Sequence, residues 1–278
     1  MAELDFTVDG KKCTHCRACV ADCPTQIIEM EGQALPRIRA GQEGDCLECQ
    51  HCLAVCPTGA ISIFGLDPDD SLPLTPSALP SLDQQIRLLR GRRSVRQYRP
   101  GNVRPELLAG ILSAVANSPT GCNRRGLTFT LVDDEAAAKR LLVKVVEAIE
   151  KAQAAGRIPE AMSFLNDAAV EYRKSGQDDV FRGAPHVLIV SAPADAVCPA
   201  EDVAIAVSYF EILAQSAGLG TVWCGYLKFA LDTIPELKDA IGLPRDRAFY
   251  PIVFGHPAVR YARTVQRDSS ATVDRMKV

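Results

Sequence analysis

The residues with the most chemistry to offer are cysteines. Eight of the 11 lie between Cys13 and Cys56. They form two runs of one cadence, Cys13, Cys16, Cys19 and Cys23, then Cys46, Cys49, Cys52 and Cys56. Each run reads C-x₂-C-x₂-C-x₃-C and is closed by a proline, Pro24 or Pro57, and the second repeats the first 33 residues later. Thiolates are soft, strongly donating ligands that suit iron–sulfur centres. Three cysteines at intervals of three let one tight loop cover three corners of a cubane. The fourth, expected on a helical turn begun at the proline, points away and ligates the other cluster. Crossed ligation then assigns Cys13, Cys16, Cys19 and Cys56 to one [4Fe–4S] centre, and Cys46, Cys49, Cys52 and Cys23 to the second. Zinc sites use C-x₂-C pairs, not four cysteines in this cadence twice over. A disulfide framework belongs to exported chains. His15 and His51 fall between ligands and read as solvated loop residues. Such a module relays single electrons and does no chemistry on substrates, so another part of the chain must use them.

A second concentration of chemistry begins at Arg90. Between Arg90 and Pro100 stand Arg92, Arg93, Ser94, Arg96 and Arg99, all close in sequence. Guanidinium forks around a hydroxyl suit one compact phosphate. The run is too short and too local to read as a nucleic-acid surface, and the net charge of −3 gives no electrostatic reason to expect that partner.

The elements that position these residues fall into two parts. Residues 1–65 carry 5 Lys/Arg against 9 Asp/Glu, an acidic module holding all eight clustered cysteines. Residues 66–81 contain Pro68, Pro73, Pro76 and Pro80 and have no helical or strand periodicity, as expected of a semi-extended linker. Residues 82–278 read as α+β. Helical periodicity covers Pro105–Asn117, Glu135–Ala155, Glu160–Lys174 and Ala200–Ala217, with shorter pieces at Gln84–Arg90 and Pro235–Ile241. Strand-like runs are Leu127–Val132, Val187–Ser191, Thr221–Cys224 and Phe249–Phe254. No G-x-G-x-x-G unit follows a strand, which argues against a Rossmann domain. With 47% hydrophobic residues the chain can build a sizeable core. No apolar run has the length of a membrane span, and the acidic opening Met1-Ala2-Glu3-Leu4-Asp5-Phe6 lacks a secretion signal. The expectation is a cytoplasmic protein with neither membrane nor nucleic-acid partner.

The residues of the first module are similar to bacterial two-cluster ferredoxins across 5–64. In the second part, Arg92-Arg93-Ser94-Val95-Arg96-Gln97-Tyr98 resembles the R-R-S-x-R-x-[FY] opening of the FMN-dependent nitroreductase family. Asn117-Ser118-Pro119-Thr120-Gly121-Cys122-Asn123 resembles that family's S-P-[ST]-x-x-N loop. Phe181-Arg182-Gly183-Ala184-Pro185-His186, Gly218–Gly225 and Phe254-Gly255-His256-Pro257 follow in family order, with Arg260, Arg263 and Arg267 beyond. Together they cover 83–267, and the order of ferredoxin then nitroreductase is similar to fusion members of the family.

This resemblance implies an α+β fold, a mixed sheet flanked by helices, carrying FMN at the interface of an intertwined homodimer. It implies that Arg92, Arg93, Ser94 and Arg96 bind the cofactor, with Arg92, Ser94 and Arg96 on its phosphate and Arg263 and Arg267 closing from the tail. Pro119, Thr120 and Asn123 are expected along the ring or ribityl chain, contributed to the partner subunit's cofactor. The segment Cys224-Gly225 is expected beside the flavin, its main-chain N–H aimed at N5. Where the family often continues with Gln-Pro-Trp, this chain has Arg124-Arg125-Gly126. Cys122 and Cys224 read as small packing residues, and Trp223 and Tyr226 as packing rather than substrate-stacking residues. No side chain is singled out as catalytic. The implied activity is an oxidoreductase that takes electrons from a ferredoxin-like or other low-potential donor, through two [4Fe–4S] clusters and FMN, to a small organic acceptor. The alternative is a redox adaptor between a reduced carrier and a partner protein.

Overall fold

The computed structural model describes residues 4–267 and 272–277. It divides into two compact units, one of residues up to Pro80 together with Cys122–Arg124, the other of the remainder.

The first unit is short of regular structure because its loops are committed to the cysteines. Strand β1 (Phe6–Val8) pairs antiparallel with β4 (Ile61–Ile63), placing Phe6 opposite Ile63 and Val8 opposite Ile61. Strands β2 (Ile28–Glu29) and β3 (Arg37–Ile38) form a second antiparallel pair. Two short helices, α1 (Ala18–Asp22) and α2 (His51–Ala54), carry the third cysteine of each run. The expected helical turn therefore lies before the fourth cysteine and not at the proline. Pro24 and Pro57 lack an N–H to continue a helix and sit in the turns that follow it. Cys19, Ile27, Ile28, Cys52, Leu53, Ile61 and Ile63 make the core of the unit.

The 33-residue repeat is also a repeat of backbone conformation. His15 and Glu48 take φ of 55° and 52°, Arg17 and Gln50 take 63° and 59°, and Gln26 and Gly59 take 57° and 59°. Left-handed geometry at non-glycine residues costs roughly 1–2 kcal/mol each. Here it recurs at matched positions of both halves, inside and just after the cysteine loops. Between Leu66 and Ser81 the chain is exposed except at half-buried Pro68, and holds two single 3₁₀ turns, at Pro68–Asp70 and Pro76–Ala78.

The second unit opens with α3 (Leu82–Gly91), started by a capping box in which Ser81 and Gln84 satisfy each other's main-chain N–H. Helix α4 (Pro105–Val115) begins at a proline, where a missing N–H costs nothing. Strand β5 (Thr128–Val132) is followed by α5 (Glu135–Ala154), whose cap Asp134 accepts from Ala137 N at 2.8 Å. Next come α6 (Phe164–Ser175), β6 (His186–Pro193), α7 (Pro199–Ser216) and β7 (Gly220–Trp223). The unit closes with α8 (Gly225–Thr233), α9 (Pro235–Ala240) and β8 (Arg247–Gly255). The periodicity over Glu160–Lys174 resolves into a 3₁₀ turn, Glu160–Met162, and then α6. Helix α8 was not foreseen: it starts directly at the end of a strand and buries only Leu227, Ala230 and Leu231.

The sheet runs β5-β6-β8-β7, antiparallel throughout. Strand β6 is buried at seven consecutive positions, His186 to Ala192. Its side chains alternate between two cores: Val187 and Ile189 pack with α5, α6 and α8, while Leu188, Val190 and Ala192 pack with α4 and α7. A sheet covered on both faces by helices reads as a continuous apolar run, as this strand does.

Candidate functional site

Each half of the cysteine module contributes to a site built with the other half. A small cavity in the first unit is lined by Cys13, Cys16 and Cys19 from the first run and by Cys56 from the second. His15 and Arg17 complete its polar wall, and Met30 and Ile61 its apolar one. The thiol of Cys19 is pushed up by burial, with repulsion from Cys56 and Cys16 adding to it. The same crossing recurs in the other set. Burial raises Cys46, and the neighbouring thiols reinforcing it are Cys49 and Cys23. Burial pushes Cys52 up to about 11, with Cys49 and Cys46 beside it. Thus Cys23 lies among the second run and Cys56 among the first.

The two crossing cysteines share an environment that favours thiolate. At Cys56 burial pulls the pKa upward, but main-chain N–H groups at Ala60 and Thr58 and the Thr58 hydroxyl hold it below the ordinary value. Ala60 N reaches Cys56 Sγ at 3.2 Å. Cys23 is lowered in the same way against its burial, by Ile27, Thr25 and Ile28. The Thr hydroxyls of the Pro-Thr pairs lie 3.8 Å from their sulfurs in both halves. The donor set fits iron–sulfur chemistry: four sulfurs around a cavity, with N–H groups turned onto the crossing ligand. Among the described residues, no three His, Cys, Asp or Glu side chains converge on a point suited to a single ion.

The arginine run of the second unit lies in extended chain alongside the sheet. Val95 N donates to Thr221 O at 2.8 Å, Ser94 bridges Thr221 in parallel, and Tyr98 bridges Pro257. Val95 is buried, so Ser94 and Arg96 share the opposite face of the strand-like segment. Val95 fits because Gly220 has no side chain: a Cβ there would come within 2.7–2.8 Å of Val95 carbons. Tyr98 OH donates to Val95 O at 2.7 Å and anchors the segment. Arg92, Arg93 and Ser94 are half-buried and Arg96 is exposed. Arg92 already has one partner, since its Nη1 donates to Glu211 Oε1 at 3.1 Å. Glu211 is buried on α7 and also accepts from the Thr221 hydroxyl at 3.4 Å.

The other anticipated residues are dispersed. Pro119 is exposed and Thr120 half-buried, with Thr120 Oγ1 accepting from Arg125 N at 2.9 Å. Gly121 N donates to the buried carboxylate of Asp202 at 3.0 Å. Cys122, Asn123 and Arg125 all hold left-handed backbone, with φ of 51°, 53° and 50°. Three such residues in four is a concentration of strain of the kind that marks functional loops. Within the first unit, Asn123 Nδ2 donates to Leu47 O at 2.8 Å, next to Cys46. Gly225 is the first residue of α8, where the N–H has no intrahelical acceptor. Cys224 caps that helix but turns its thiol inward, donating to Val180 O at 3.2 Å, and burial pushes its pKa up to about 12. Its main chain is engaged as well, the N–H donating to Pro251 O at 2.9 Å and the C=O accepting from Lys228 N at 3.0 Å. Trp223 packs edge-on against Tyr250 at 4.7 Å. Arg263 and Arg267 lie exposed on irregular chain beyond β8.

Sequence reasoning missed Glu211, Asp202 and Asp178. Glu211 and Asp202 occupy inward positions of α7 beside Val203, Val207 and Phe210, and an acid on an apolar helical face was the available signal. Asp178 accepts from Phe181 N and Gly183 N, both at 2.8 Å, and shapes the turn into β6. Burial raises its pKa in spite of these donors. His186, fully buried at the head of β6, accepts from Val103 N at 2.9 Å and stacks on Phe254, with burial holding the ring neutral.

Two architectures are thus joined in one chain, a cysteine-lined repeat and a helix-covered antiparallel sheet edged by arginines. A model of the nitroreductase family matches residues 89–256, and a 4Fe–4S dicluster domain matches residues 12–60. The chain belongs to the nitroreductase family and is an oxidoreductase with an iron–sulfur domain at its N-terminal side. Solved structures agree on the fold. A nitroreductase with bound FMN from Bacteroides fragilis aligns with a TM-score of 0.54 at 22% identity, over 68% of this chain and 98% of its own. One with bound FMN from Desulfitobacterium hafniense gives 0.52 at 22%, over 68% and 97%. An FMN-dependent nitroreductase from Clostridium difficile gives 0.52 at 19%, over 70% and 99%. No curated protein matches the chain. Among the described residues no helix is long and apolar enough to cross a membrane.

Proposed function

We propose that this chain reduces a small organic acceptor of nitroaromatic, quinone or activated-alkene type at FMN, using single electrons delivered by a low-potential, ferredoxin-like donor. The proposed organisation is a two-cluster domain over 1–65, a connector over 66–81 and a flavin domain over 82–278, working as a homodimer. The observation that carries it is the cavity that unites Cys13, Cys16 and Cys19 with Cys56 from the other half of the repeat. A cavity with that lining is what a crossed pair of cubane sites requires.

The residues divide the work as follows. Cys13, Cys16, Cys19 and Cys56 hold one centre; Cys46, Cys49, Cys52 and Cys23 hold the other. Main-chain N–H groups at Ala60 and Glu48, 3.2 and 3.4 Å from Cys56 and Cys46 sulfurs, stabilise negative charge at the ligands. Ser94 and Arg96 take the FMN phosphate from one face of the extended segment, with Arg92 and Arg93 beside them. Arg92 keeps one N–H on Glu211 and has four more to offer. Arg263 and Arg267 approach from the tail, Pro119, Thr120 and Asn123 from the loop after α4, and Gly225 offers its N–H to the flavin ring. FMN, when bound, supplies the conversion between one-electron input and two-electron output that cubane clusters lack.

Metal analysis and turnover test this directly. Anaerobically prepared protein is expected to hold about 8 iron and 8 sulfide per chain, with FMN and not FAD released on denaturation. Cys23→Ala is expected to lose the centre held by Cys46, Cys49 and Cys52 and to spare the other. Iron near half that value, zinc in its place, or failure of every small acceptor in an anaerobic panel would overturn the proposal.

A further inference from the structure

The two halves of the cysteine module are built alike and charged differently. The 33-residue repeat pairs Gly10 with Glu43, Lys12 with Asp45, His15 with Glu48 and Arg17 with Gln50. The φ angles at 15 and 48, and at 17 and 50, agree within a few degrees, so the differing charges stand on loops of similar backbone. Over residues 9–22, Lys11, Lys12 and Arg17 outnumber Asp9 and Asp22, leaving +1. Over 42–55, Glu43, Asp45 and Glu48 meet no Lys or Arg, leaving −3.

These charges sit against the sites. Arg17 and His15 line the cavity of Cys13, Cys16, Cys19 and Cys56, whose described lining includes no acid. Arg17 is steadied there by Nη1 donating to Met30 O at 2.9 Å. At the other set, Asp45 and Glu48 line the open cavity beside Cys46, with Arg124 its one cation. Lys12 is partly offset by Asp69 at 3.5 Å, and neither Lys11 nor Lys12 lines the cavity, so Arg17 is the cation set against the first site. Reducing a four-thiolate site adds one negative charge, so a nearby cation favours the electron and a nearby carboxylate opposes it.

We infer that the two sites differ in electron affinity, that the Cys13–Cys16–Cys19–Cys56 site holds the first electron, and that Arg17 and Glu48 set the gap. This rests on the two-cluster reading proposed above. The step is one electron from a low-potential donor to one site, with no bond made or broken and no proton moved. The charges are exposed, so solvent screens each of them and salt must weaken their effect.

The test uses the full-length, anaerobically reconstituted protein, titrated stepwise with dithionite and followed by low-temperature EPR. Iron and sulfide are assayed on the same sample. At low salt the two sites are expected to fill in sequence with at least a tenfold preference, which is about 59 mV for one electron. The gap is expected to narrow near 1 M salt, where the screening length is about 3 Å. Arg17→Gln installs the side chain that the repeat already carries at Gln50. It is expected to move the first step to lower potential and leave the second. Glu48→Gln is expected to raise the second step and leave the first. Unsplit reduction at about 8 iron and 8 sulfide, both variants moving the same step, or a gap indifferent to salt would overturn the inference alone. Iron near half that content would overturn the two-cluster reading and the inference with it.

Discussion

Arg92 shows how one residue serves both the fold and a site. Its partner Glu211 has a side chain only 9% exposed, so removing the guanidinium strands a carboxylate among apolar neighbours. Arg92→Ala is expected to cost roughly 1–3 kcal/mol of stability, as well as loosening FMN. Adding Glu211→Gln removes the stranded charge. The double variant should recover most of the melting temperature and none of the flavin affinity, measured by fluorescence of released FMN. If affinity returns with stability, Arg92 acts only through the fold. Cys224 gives a prediction in pH. Its thiol is raised from 9.0 to about 12 by burial, so the folded state binds that proton more tightly than the unfolded chain. The associated stability is whole below about pH 9 and is lost as pH climbs toward 12. Cys224→Ala should flatten the alkaline fall of stability in that window, followed by denaturant melts at fixed pH.

At the scale of elements, the seam between the arginine segment and the sheet decides where Ser94 and Arg96 stand. Strand β7 admits Val95 only because position 220 is glycine. Gly220→Ala forces either strand or segment to shift, and overpacking of this kind costs typically 1–3 kcal/mol. Val95→Ala in the same chain should restore part of the loss, and FMN retention should follow the position of Ser94 more closely than the melting temperature does. The start of α3 is a milder case. Ser81→Ala deletes one arm of the capping box and should cost about 1 kcal/mol by denaturant titration, with no effect on flavin content, because α3 exposes nearly all of its side chains.

For the whole molecule, each unit has a core of its own, Ile27, Ile28, Leu53 and Ile61 in one and the two sheet-facing clusters in the other. A chain begun at Ser81 should therefore fold, keep FMN and lose turnover with a low-potential one-electron donor. Direct reduction by NADH or NADPH, measured by anaerobic rapid mixing, should be slow in both the intact and the shortened protein. Full nicotinamide-driven activity in the shortened chain, equal to that of the intact one, would show that the cysteine module is not the route of entry.

The cysteine module was legible at the level of ligands because metal sites depend on residue type at fixed spacing, and that information is local. The strands β5, β6, β7 and β8 and most helices were likewise visible, since burial on both faces writes an unbroken apolar run and burial on one writes a 3.6-residue period. Local pattern could not place the helical turn before Cys23 and Cys56, because a four- or five-residue helix is too short to carry a period. It missed α8 for a related reason, its start lying at the end of a strand with no polar cap. Two things were decided only by the tertiary structure: the pairing of Arg92 with Glu211, 119 residues away, and the inward turn of the Cys224 thiol onto Val180 O. Each depends on chain brought together from distant positions, and the energy of such contacts is set by burial and geometry that no window of neighbouring residues contains.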